Sequence, residues 1–133
     1  MNGIKEFRRV MAFAGHVAQR HGVAVSPEHV AFALAATEPA RTPASSAVIE
    51  YGARRGWQVQ PEPPSLRQRL LPARRPDVEP RLQREIERAA AGGSPDVRTV
   101  LRSFADSGEL APVGEMVESA GQTLHEWLGH GDG

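Results

Sequence analysis

The side chains whose types and spacing could do chemistry fall into three groups: histidines, carboxylates just after Ser-Pro pairs, and arginines. His125-Glu126 followed by His130 approaches a zinc-hydrolase pattern. That pattern needs histidines at i and i+4, so that both imidazoles share one helix face. Here the second histidine is at i+5, about 140° further round a helix, and lies beyond Gly129. His16 and His21 are also five apart, with no acid fixed near them. Four well-placed ligands are the usual requirement for a structural metal, so no metal site is expected. Nucleophilic catalysis lacks its usual carriers, since there is no Gly-x-Ser-x-Gly elbow and no cysteine. The residues therefore point to no catalytic site, no enzyme activity and no cofactor.

Ser26-Pro27-Glu28-His29 and Ser94-Pro95-Asp96 read as helix starts. A serine hydroxyl can accept from an orphan backbone N–H in the first turn. Proline then suits the first helical position, where its missing N–H costs nothing. Glu28 and Asp96 would follow as carboxylates at the positive end of the helix dipole. That role accounts for their type. His29, three residues after the cap, is expected to hydrogen-bond locally or to pack.

These residues are positioned by a chain that reads as helical throughout. Ile4, Phe7, Met11, Ala14 and Ala18 form one apolar stripe, with Val10 and Val17 beside it and His21-Gly22 as its stop. From Val30 to Ala36 every residue is apolar, which predicts a buried central helix over about Pro27 to Thr37. Glu38 to Pro43 is a breaker segment. Ala44, Ala47, Val48 and Tyr51 predict a third helix stopping at Gly52. Arg54 to Ser65 reads as loop, with Trp57 as its anchor to the body. Leu66, Leu70 and Leu71 predict a short fourth helix, and 72–80 reads as a linker.

The second half restarts the order. Leu82, Ile86, Ala89 and Ala90 form a stripe closed by Gly92-Gly93. Val97, Val100, Leu101, Phe104 and Ala105 form another, closed by Ser107-Gly108. A short helix runs from Leu110 to Gly121, and Leu124, Trp127 and Leu128 make the last. The matching order of caps and stops predicts an all-α domain over 1–133. It would comprise two pseudo-symmetric repeats of about four helices each, at about 4–71 and 81–130.

Composition bounds the rest. Lys+Arg and Asp+Glu are both 16, so no net field points to nucleic acid or an acidic membrane. Arginines are dense between residues 54 and 84, which leaves a small helical DNA-binding regulator as the alternative function. Acids share that window, and no aromatics interleave for base stacking. No apolar run approaches a membrane span of ~20 residues. The absence of cysteine fits a reducing cytoplasm.

The stretch from Gly22 to Leu34, with its small-residue turn, Ser-Pro-Glu-His and apolar helix, resembles the Clp N-terminal domain. That domain is the double-repeat helical module preceding the ATPase rings of Clp/Hsp100 unfoldases. Ser107 to Gly121 is similar to the family's short helix ending in glycine before the last helix. The likeness spans about residues 4 to 130. Two departures stand out: Asp96-Val97 replaces the family's usual Glu-His in the second repeat, and the preceding turn is shorter. No Gly-x-x-x-x-Gly-Lys-Ser/Thr loop is present, so the motor itself is not in this sequence. The resemblance implies a non-catalytic protein-binding module, free-standing or the N-terminal part of a longer chain. Its partners would be an unfoldase, an adaptor or a substrate. In some family members an acid at each helix start grips the guanidinium of phosphoarginine. Glu28 matches the first of these acids and Asp96 occupies the second position, so the resemblance implies ligand binding by Glu28, Asp96, Ser26 and Ser94, against the plain capping and dipole role that the residues alone suggest.

Overall fold

The computed structural model describes residues 3–38, 42–57, 78–93 and 96–129, with the side chain of Ile4 outside that set. The described residues form seven helices: α1 (Gly3–Arg20), α2 (Pro27–Thr37), α3 (Pro43–Arg54), α4 (Pro80–Ala91), α5 (Val97–Asp106), α6 (Ala111–Ser119) and α7 (Leu124–Gly129). The all-helical expectation holds. Among the described residues the single extended pairing is a parallel bridge between Val25 and Val78.

Helix α2 lies at the centre. Val30, Ala31, Phe32 and Ala33 are fully buried, and Leu34 and Ala35 nearly so. Small residues let neighbouring backbones approach it closely, and it packs on α1, α3 and α5. Helix α1 turns Val10, Ala14, Val17 and Ala18 inward, with Phe7 and Met11 at the edge, so the buried face is centred on the Val10–Val17 flank of the predicted stripe rather than on Phe7 and Met11. Helix α5 buries Val97, Val100, Leu101 and Phe104 against α2, α4 and α7. Helix α6 closes the body against α3 through Val113 and Val117. Trp127 of α7 is buried beneath them.

Three boundaries differ from the sequence pattern. Gly52 does not stop α3, which runs on to Arg54; the left-handed residue is Gly56, with φ 84°. Gly52 is needed instead for close approach, because a Cβ there would overlap the Phe32 ring. Pro80 opens α4 rather than belonging to a linker. The residues before it are held to the body, since the Glu79 N–H donates to the Val25 carbonyl at 3.0 Å. Helix α5 begins at Val97, with Asp96 itself as the N-cap, not a first-turn acid behind a Ser94 cap. Aspartate is as good a cap as serine, and its Oδ1 accepts from the Arg98 N–H at 2.9 Å. Ser94 lies outside the described residues, as do the predicted fourth helix, most of the loop before it, 72–77 of the linker, and His130.

Candidate functional site

The N-terminus of α2 brings together Ser26, Glu28, His29, Tyr51, Arg55 and Trp57. Its start is fixed by a reciprocal cap. The His29 N–H donates to Ser26 Oγ at 3.4 Å, while the Ser26 N–H donates to His29 Nδ1 at 3.0 Å. Ser26 Oγ also lies 2.8 Å from that nitrogen. Histidine thus fills the place that Glu or Gln takes in the usual capping box. Accepting from the backbone requires Nδ1 to be unprotonated, which puts the ring proton on Nε2.

Around this cap lies an aromatic cluster. The His29 ring packs on Trp57 at 4.6 Å between centroids, and Trp57 meets Phe32 at 5.4 Å and Tyr51 at 6.1 Å, both edge-on. Trp57 is therefore the anchor its position suggests. The Tyr51 hydroxyl donates to Glu28 Oε2, and the Arg55 guanidinium sits 4.4 Å over the Tyr51 ring. Burial, then the hydrogen bond to Glu28 and its negative charge, holds the Tyr51 phenol well above its ordinary pKa, with Arg55 opposing. Glu28 is half-buried and carries one strong partner. The chemistry available is recognition of a cation or hydrogen-bond donor by a carboxylate backed by aromatic rings.

His29 is 5% exposed, and burial lowers its pKa from 6.5, against Glu28, which raises it, and with His21, which lowers it further. A depressed folded-state pKa means that the fold binds the proton less readily than the unfolded chain. The stability this contributes is complete above pH 6.5 and drains away as pH falls towards the folded value. His29→Gln retains a cap acceptor but cannot titrate. Urea midpoints between pH 7.5 and 5 are expected to fall more steeply for the native chain than for H29Q. Parallel curves would remove His29 from the acid response.

Of the four residues singled out as ligand-binding, the structure keeps Ser26 and Glu28 adjacent at the start of α2. Ser26 is engaged in the cap. Asp96 caps α5 and faces the Arg98 backbone, so it is not positioned as Glu28 is. Of the histidine pattern, His125 Nε2 lies 2.6 Å from Asp106 Oδ1, while His130 lies outside the described residues. Arg67, Arg69, Arg74 and Arg75, half of the eight arginines between residues 54 and 84, lie outside those residues. Among the described residues no helix is long and apolar enough to cross a membrane.

Sequence reasoning missed a polar network on the far side of α2. Glu38 Oε1 accepts from Arg98 Nη2 at 3.2 Å, and its Oε2 accepts from the Ser45 hydroxyl. Ser45 Oγ accepts from Trp127 Nε1 at 3.2 Å, and Arg98 Nη1 donates to the Trp127 carbonyl at 3.3 Å. Glu6 of α1 adds a contact at 3.7 Å. The one signal available was an acid directly after an all-apolar helix.

Comparison with models of known families gives no match, and neither the curated proteins nor the solved structures provide one.

Proposed function

We propose that this chain is a non-catalytic protein-binding module of the Clp N-terminal type, recognising substrates or adaptors for an unfoldase. In this reading its helices form two pseudo-symmetric repeats, the first centred on α2 and the second on α5. The packing of α2 against α5 and the glycine-ended turns at Gly22 and Gly108 are consistent with such a pairing. The observation that carries the reading is the half-buried Glu28 carboxylate at the capped start of α2, backed by Tyr51 and Trp57. A carboxylate so placed pairs with a guanidinium, while N–H groups at a helix start suit a phosphate. Phosphoarginine offers both groups on one ligand.

The test is calorimetric titration with free phosphoarginine, with plain arginine as control. Phosphoarginine alone should release heat, and Glu28→Ala should weaken it by about tenfold, the effect of losing a charge-assisted hydrogen bond. Far-ultraviolet circular dichroism should not change. Tyr51→Phe removes the hydroxyl that occupies Glu28 Oε2 and should tighten binding. Equal binding by native and E28A chains would remove Glu28 from the site. No heat with either ligand would end the phosphoarginine reading.

A further inference from the structure

A second polar surface shares no residue with the α2 site. Arg81, Arg84 and Arg88 recur along α4 at steps of three and four, so their guanidiniums line one side of the helix. Opposite them stand Ser103, Phe104 and Ser107 at the C-terminal end of α5. Between the two rows lies an open groove of about 460 Å³, with Glu85 and Glu109 also in its lining. Its wall is apolar at Phe104, which is 3% exposed.

The acids of this groove are already occupied, and the arginines are less so. Glu85 Oε2 accepts from the Ser103 hydroxyl at 3.0 Å, which draws the carboxylate towards α5. Arg88 reaches its other oxygen only at 3.7 Å and remains highly exposed. Glu109 is bound by Arg81 and by the Ser107 hydroxyl. Arg84 has no carboxylate partner among the described residues. The groove thus presents two loosely held or free guanidiniums beside an apolar wall. That combination suits an oxyanion carried on a polypeptide, because guanidinium forks bind carboxylate or phosphate with two parallel hydrogen bonds. A nucleic-acid backbone fits less well, since Glu85 and Glu109 in the lining would repel successive phosphates.

We propose that the groove between α4 and α5 binds an acidic side chain of a partner polypeptide, with Arg84 and Arg88 as its donors and Phe104 as its apolar wall. The shared chemistry is the oxyanion, which glutamate, aspartate or a phosphorylated serine can supply.

Fluorescence anisotropy tests this with three labelled peptides, one Glu-rich, one carrying phosphoserine and one neutral, and with a short DNA duplex as comparator. One or both anionic peptides should bind, the neutral one should not, and which of them binds more tightly identifies the source of the oxyanion. Arg84→Glu with Arg88→Glu should abolish binding. Arg9→Glu with Arg20→Glu on α1 makes the same change in net charge and should leave most of it. Glu85→Gln removes the competing carboxylate and should tighten binding severalfold. The proposal is overturned if neither anionic peptide binds or if the α1 variant loses as much as the α4 variant. It also fails if E85Q does not tighten binding, or if the duplex binds more tightly through the same arginines.

Discussion

Arg98→Ala is expected to lower the unfolding free energy by about 3–5 kcal/mol, the usual loss when one partner of a buried ion pair is removed. The Arg98 and Glu38 side chains are 12% and 11% exposed, so water cannot replace the lost contact cheaply. Without Arg98, the Glu38 carboxylate keeps the Ser45 hydroxyl but loses its counter-charge, and the Trp127 carbonyl loses a donor. The effect reaches far because the network ties the C-terminus of α2 to the starts of α3 and α5 and to α7. Arg98→Met combined with Glu38→Gln removes both charges and leaves an amide that can still accept from Ser45. The double variant should therefore lose clearly less than the sum of its single variants. Urea unfolding at constant slope measures this directly. Strict additivity would mean that the two residues act separately and that the ion pair is incidental.

That network also marks where sequence reasoning runs out. Apolar periodicity marks the inward sides of α1 and α5, and the unbroken apolar run of Val30 to Ala36 marks α2 as the buried helix, because burying apolar surface is what makes these helices form. The start of α2 is legible from its capping residues, since Ser26, Pro27 and Glu28 act on the helix within one turn. Periodicity is silent on polar burial. Glu38 follows α2 in what reads as a breaker segment; its partners Ser45 and Arg98 come from two other helices, and Trp127 of a third joins through them. Only the folded chain makes a serine on α3 the acceptor for an indole N–H on α7. Asp96 shows the local limit. Ser94-Pro95-Asp96 has the composition of the first cap, yet aspartate can serve as cap itself, and composition alone does not choose between the two registers. The same holds at the candidate site: Glu28 is legible as a first-turn acid, but its engagement by Tyr51 arises from the packing of α3 on α2.

The same substitution at two helical glycines should have opposite effects. Gly114 lies inside α6, and a Cβ there would meet Leu124 Cδ2 at 3.7 Å, an ordinary van der Waals contact. Gly114→Ala should stabilise the chain by up to about 1 kcal/mol, the difference in helix propensity between the two residues. Gly52 lies inside α3 with a similarly helical backbone, so it has the same propensity to gain. Its Cβ, however, would overlap the ring of Phe32 and approach Trp57 Cε3 to 2.9 Å. Phe32 is fully buried on α2 and cannot swing aside without opening the core. Overpacking of this kind costs about 1–3 kcal/mol, so Gly52→Ala should be destabilising by about 2 kcal/mol at the upper end after the propensity gain is offset. In a Phe32→Leu background, which lacks the ring, the same glycine change should cost clearly less. Because Trp57 packs on both Phe32 and His29, G52A should also weaken the phosphoarginine binding proposed for the start of α2, whereas G114A should leave it unchanged. If G52A proved as stable as G114A, α3 would have room to move away from α2. The close approach that holds Tyr51 against Glu28 would then be looser than the packing of Gly52 on Phe32 requires.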